Sequence, residues 1–362
     1  MNLNPIINNF QRPIRKVQIC CILIFSCAAC SLNIPYENQY SDPDAITTVT
    51  AARELLASAY DAIPKPEFSL SVLSDDFQPT FLINLNADLN NLYKWRPKPM
   101  EDLSNSLWEK YYSAIAIANT VLERIHYVSP ISDSDKQELQ CIVSEAKTLK
   151  AYCYFNLLRL FAPTYPEGPE KDGIILKERF ELAFLKRSSI SECVNAIRQL
   201  LTEAVTVDNR PSQVYWFSRQ SAYYLLAALE LYAENYDKAE EYALKILSST
   251  NAYDVLAPVH YKKLWEQEPC EECIFSLHTT NSYYTDMNYE RKKGDYFTIN
   301  STLTQLYATN DIRYEATVYP QEMPGESIGE TLPVLYLGKY NKQNWNYKPI
   351  QYINKLRVSG IC

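Results

Sequence analysis

Apolar residues recur at intervals of three and four along most of this chain, the pattern of helices that each bury one face. After Asp102 and Ser104 come Leu107, Trp108, Tyr111, Tyr112, Ile115, Ala118, Leu122 and Ile125. A longer run begins near Ser132-Asp133 and carries Leu139, Ile142, Ala146, Leu149, Cys153, Leu157 and Leu160 until Pro163 stops it. Another starts at Ser188 or Ser191, with Glu192 as a capping residue, and continues through Val194, Ile197, Leu201 and Ala204. An earlier periodic segment runs from about Val49 to Ile63, after a linker at Ser41-Asp42-Pro43-Asp44-Ala45.

The stretch 216–249 is the most diagnostic. Ala222, Leu225, Leu226, Leu229 and Tyr232 form one predicted helix, and Ala239, Ala243, Ile246 and Leu247 the next, joined tightly across Glu234-Asn235-Tyr236-Asp237. Two short helices so joined resemble a tetratricopeptide hairpin, which cannot bury its own faces and must stack on its neighbours. The pattern therefore predicts a mainly all-α fold of stacked helical hairpins. Between the helices lie long excursions at about 63–102, 162–187, 250–298 and 310–362, and Glu272–Leu277 reads as a short strand within one of them. Long irregular segments inside a compact domain tend to carry function, so the helices are expected to be scaffold and the excursions the working surface.

Composition narrows the chemistry. The 362 residues include 29 Tyr but only 7 Gly, under a third of the usual glycine share of roughly 7%. No G-x-G-x-x-G and no G-x-S-x-G occurs, and after Gly168 and Gly173 stand Ile174 and Ile175 where a P-loop needs Lys and Ser or Thr. Nucleotide-binding folds and α/β-hydrolases are thereby disfavoured. The net charge is −8 with no basic stripe, which disfavours a nucleic-acid partner. Three histidines offer little for acid–base catalysis, and no enzymatic role is expected.

The first thirty residues read as an address. Arg12, Arg15 and Lys16 precede an apolar run from Val17 to Phe25 that is too short to span a bilayer, which takes roughly 20 helical residues. Small residues in Ser26-Cys27-Ala28-Ala29-Cys30 resemble a bacterial lipobox, with Cys27 in place of the usual Leu. Cleavage before Cys27, or an ordinary signal with a spare cysteine, are the alternatives. The expected organisation is a lipoprotein signal at 1–29, lipidation at Cys30, a tether at 30–46 and a helical domain at 47–362.

Sugars pair C–H faces with hydroxyl rims, so their sites combine flat rings with planar polar side chains. The segment 90–97 offers Asn91, Tyr93, Trp95 and Arg96, and Asp75-Asp76 add acceptors. A second aromatic-polar segment holds Tyr283, Tyr284 and Tyr296. Each has a plainer reading, with Trp95 anchoring a loop, the aspartates capping a turn and the tyrosines packing. Cys270 and Cys273 with His260 and His278 supply zinc-ligand types, but at no standard spacing; no metal and no cofactor is expected. A disulfide between Cys270 and Cys273 stays open.

In order along the chain, several stretches together resemble the SusD/RagB-type nutrient-binding outer-membrane lipoproteins. They are Cys30 with its spacer, Leu56–Ile63, Leu107–Ile125, Glu145–Phe161, Ser188–Ala204, Ala222–Leu247, Glu272–Phe275, Asp311-Ile312-Arg313 and Gly338-Lys339-Tyr340. The resemblance implies a mostly helical fold on tetratricopeptide-like hairpins, with ligand loops on one side. It implies binding of a glycan, oligosaccharide or peptide outside the cell, and partnership with a SusC-like TonB-dependent transporter that the lipoprotein covers as a lid. Members continue beyond Lys-Tyr into a further helical pair, whereas here Pro349 and Leu356–Ser359 approximate that entry before Gly360-Ile361-Cys362. The missing helices are expected to leave apolar surface exposed and to lower expression. A helical scaffold of the cell envelope, with no small ligand, is the alternative function.

Overall fold

The structure is a computed structural model that describes residues 46–179, 184–248, 261, 273–277, 296–325, 327, 329–337, 350–354 and 361. The leader, Cys30, Tyr283, Tyr284, Cys270, His260 and His278 lie outside the described residues. Among those described, no helix is long and apolar enough to cross a membrane.

The predicted helices are all present. Helix α1 spans Val49–Ala62, capped by Thr48, whose hydroxyl accepts from Ala51 N–H. Two seven-residue helices, α2 (Glu67–Leu73) and α3 (Ala87–Tyr93), flank strand β1 (Phe77–Pro79). Helix α4 (Pro97–Arg124) starts with proline in its first turn, five residues before the predicted entry at Asp102. Helix α5 (Asp133–Phe161) opens with a full capping box between Ser132 and Asp135, and α6 (Ile190–Ala204) with one between Ser189 and Glu192. The tetratricopeptide-like pair is α7 (Arg219–Tyr232) and α8 (Tyr236–Leu247). The expected excursion at 63–102 is therefore corrected: it is structured, but seven-residue helices are too short to show a period.

Neighbouring helices pack in succession, α1 and α5 against α4, α6 on α5, α7 on α6, and α8 on α7. Every residue of α5 from Thr148 to Leu158 is buried, Thr148, Lys150 and Asn156 included, as expected for the central helix of a stack, covered on all sides. Ion pairs tie the layers where burial would otherwise isolate charge. Glu145, 1% exposed, accepts from Arg53 of α1 (2.8 Å), Tyr60 (3.3 Å) and Asn209 (3.3 Å), while Tyr60's oxygen accepts from Phe217 N–H. Glu230, 2% exposed, holds Arg198 of α6 through both carboxylate oxygens.

Strands close the rest. β2 (Cys273–Leu277) confirms the predicted strand and pairs antiparallel with β6 (Ile350–Asn354). Its Phe275 stacks on Phe217 at 4.0 Å between centroids, seating it on the helical core. β3 (Phe297–Ile299) pairs with β1, and after the short helices α9 (Ser301–Thr304) and α10 (Ile312–Thr317) come β4 (Val318–Pro324) and β5 (Thr331–Leu337), an antiparallel hairpin. Here the expected irregular stretch at 310–362 is corrected as well. The prolines of V-Y-P-Q-E-M-P obscure a strand pattern, since proline cannot donate to a ladder. Pro320 faces Leu335, Glu322 faces Pro333 and Pro324 faces Thr331. These are consequently the non-hydrogen-bonded pairs, and the prolines remove donors from both outer edges of the hairpin.

A small second core under the β1–β3 ribbon joins Val72, Phe77, Ile83, Leu92 and Phe297. Leu103 of α4 touches this core and the main one, which fixes the ribbon to the scaffold.

Candidate functional site

The ribbon is two-faced because side chains alternate along a strand. Phe77 and Phe297 point down, 5.9 Å apart between ring centroids, with Phe68 and Tyr93 completing an aromatic cluster. Gln78 and Thr298, cross-strand partners, line the opposite face. Gln78 Oε1 accepts from both Ser301 N–H (3.2 Å) and Ser301 Oγ (3.4 Å). A backbone N–H can only donate, so this fixes which end of the amide is Oε1 and leaves Gln78 Nε2 as its donor end.

Opposite this polar wall stands the hairpin. Pro320, Glu322, Pro333, Val334 and Leu335 form one side of a cleft of about 640 Å³, and Gln78, Thr298, Ile299 and Ser301 the other. The cleft thus sets an apolar wall bearing one carboxylate against a wall on which one amide and two hydroxyls accompany Ile299. Ligand pockets of this kind combine apolar lining with a few placed polar groups.

A second exposed feature lies at the α3–α4 corner. Trp95 N–H donates to Leu92 O (2.9 Å) and Arg96 N–H to Asn91 O (3.0 Å), the two bonds of a Schellman helix end. The left-handed residue of that motif is usually glycine; here it is Trp95, with φ 53° and 61% exposed. For a bulky side chain this conformation is an outlier, and strained residues of this kind gather at binding sites.

Against this geometry, the family model for SusD-like proteins described as starch-binding and associating with the outer membrane matches residues 35–231, over half of the chain. The chain belongs to this SusD-like family.

SusD-like protein P38 of Formosa agariphila is 25% identical over 232 residues, covering 62% of this chain and 42% of that relative, so the chain spans well under half of its length. A SusD superfamily protein from Bacteroides vulgatus shares the fold with a TM-score of 0.71 at 19% identity, over 87% of this chain and 74% of that one. A laminarin-binding SusD-like protein matches with a TM-score of 0.68 at 18% identity, over 87% and 79% of the two chains.

Within this SusD-like fold the sequence-predicted residues separate. Asp75 and Asp76 are exposed at the entry to β1, where Asp76 O accepts from Asn300 N–H (3.0 Å), one residue before Ser301 of the cleft. Tyr296 is half-buried against the small core, and its carbonyl accepts from Thr80 N–H (2.9 Å). The region 90–97 is a helix end, not a loop. Tyr93 packs beneath the ribbon on Phe297 (5.9 Å), Asn91 is exposed and Arg96 caps α4. Segments 75–96 and 296–301, some two hundred residues apart in sequence, thus meet on one ribbon. Sequence reasoning missed Gln78, Thr298, Ser301 and Glu322. The only signal was a matched aromatic-polar alternation in Phe77-Gln78 and Phe297-Thr298, in strands too short to read as periodic.

Proposed function

We propose that the chain is a surface-exposed lipoprotein that binds a nutrient glycan in the cleft between the β1–β3 ribbon and the β4–β5 hairpin. The observation that carries this reading is the opposition of an apolar wall to a hydrogen-bonding wall. A sugar ring presents C–H faces and a hydroxyl rim, and Pro320, Pro333 and Leu335 suit the faces as Gln78, Thr298 and Ser301 suit the rim. Trp95, exposed and held in a strained conformation, offers a flat ring for stacking at the α3–α4 corner, beside Asn91 and Arg96. Asp75 and Asp76 add acceptors near the cleft, and Tyr283 and Tyr284 are proposed contacts of ligand or transporter.

Family membership and the laminarin-binding relative support a glycan over other ligands. On this reading the chain is anchored by acylated Cys30, faces outward from the outer membrane, works as the lid of a SusC-like TonB-dependent transporter, and carries out no reaction itself. Isothermal titration of the folded protein against soluble glucans, laminarin first, tests the binding step. Binding that Gln78→Ala and Trp95→Ala each weaken at least tenfold supports it. Folded protein that binds no glycan or peptide pool would overturn the ligand role and leave the envelope scaffold.

A further inference from the structure

We infer, resting on the glycan reading above, that this cleft selects uncharged glycans and rejects uronic-acid or sulfated ones. Among the described residues that line it, Glu322 is the single charged side chain, and no Lys or Arg is present. Carboxylate and sulfate groups are acceptors only, and proteins bind them in concave sites through guanidinium or ammonium donors, or through clustered backbone N–H groups. The ribbon wall supplies neither. Gln78, Thr298 and Ser301 offer an amide and two hydroxyls, which match sugar hydroxyls that both donate and accept.

The carboxylates point the same way. Glu322 accepts well from a sugar O–H but repels an anion seated in the cleft. Asp75 and Asp76 are exposed at the head of β1, and the Asp76 carbonyl is bonded to Asn300 N–H, immediately before Ser301. They extend the negative field to the rim, and the whole chain carries −8, so long-range steering also disfavours a polyanion. Among the described residues, Lys94 and Arg96 belong to the α3–α4 corner and are not among those that line the cleft.

The test is a glycan array carrying neutral, uronic and sulfated members, followed by titration of one neutral hit and its sulfated derivative. The expected result is hits confined to neutral glycans, with sulfation weakening binding at least tenfold. Glu322→Lys, at an exposed position and with folding checked by circular dichroism, should shrink that gap to within about threefold. Uronic or sulfated hits bound by the wild type as tightly as neutral ones would overturn the charge selection and leave glycan binding standing. So would a Glu322→Lys variant with the gap unchanged. No hit at all from folded protein would overturn both readings.

Discussion

The hydroxyl of Tyr154 on α5 is bonded to both polar groups of one peptide segment: it accepts from Lys177 N–H and donates to Lys177 C=O, each at 2.7 Å. Tyr112 of α4 treats Ile175 in the same way, at 2.9 and 2.8 Å. Two helix side chains thus take the place of a partner strand for residues 175–177, just past Gly173 and Ile174, which bond the backbone of Ser188. Burial pushes both phenols up, so the hydroxyls keep their protons. Tyr154→Phe removes both bonds at once; Asn119 Nδ2 still donates to Lys177 O (3.0 Å), but the Lys177 N–H loses this partner, which is expected to cost about 1–2 kcal/mol. Urea unfolding measures that loss, and hydrogen exchange at the Lys177 amide should accelerate with it.

Lys150 gives a pH-dependent prediction. It is 7% exposed, and burial lowers its ammonium to about 8, against attraction to Glu178 and Glu123. Above its ordinary value of 10.5 the amine is neutral in folded and unfolded chains alike. Between about 8 and 10.5 the unfolded chain holds a proton that the fold does not, so stability falls as pH drops through this window. Below it the penalty is constant, about 3 kcal/mol at most. Lys150→Met should therefore raise stability at pH 7, and the gain should vanish near pH 10.5. A gain that persists there would mean packing rather than protonation is the cause.

Trp95 and Glu234 are the described non-glycine residues with positive φ, at 53° and 61°. Glu234 closes α7 with the same pair of bonds, its own N–H to Leu231 O and that of Asn235 to Glu230 O. Relieving a left-handed side chain is worth about 1 kcal/mol. Trp95→Gly and Glu234→Gly should each raise the melting temperature by a few degrees. Only Trp95→Gly should weaken glycan binding, which separates the structural role of the turn from the role of the indole.

Glu145 should be intolerant of truncation. Its loss leaves the part-buried Arg53 guanidinium, 5.0 Å from Trp216, with the more exposed Glu138 as its remaining carboxylate partner, and takes one hydrogen-bond partner each from Asn209 and Tyr60. Removing one partner of a buried pair costs about 3–5 kcal/mol, so Glu145→Ala should unfold at markedly lower urea concentration. Glu138→Ala, removing the exposed partner of the same arginine, should cost under about 1 kcal/mol.

The helical stack was legible because its signals are local and long. Ser132 capping Asp133–Phe161 and the interval from Ala222 to Leu247 both survive in the structure almost residue for residue. The cleft was not, for two physical reasons. Its polar wall is made of three-residue strands that carry no measurable period, and its other wall carries prolines that argue locally against a strand. Pairing Gln78 with Thr298 needs a contact across the whole chain, which no window of sequence contains. Tyr93 shows the same limit in reverse: its polar neighbours made it a candidate contact, but the ring's position under Phe297 is set by α3.

The prolines of the hairpin also bear on what kind of ligand this wall can hold. A peptide that binds by strand addition takes its affinity from a row of free N–H and C=O groups on a sheet edge. With proline at 320 and 324 on one strand and at 333 on the other, that row is interrupted on both sides. An extended peptide finds no continuous main-chain partner along this hairpin.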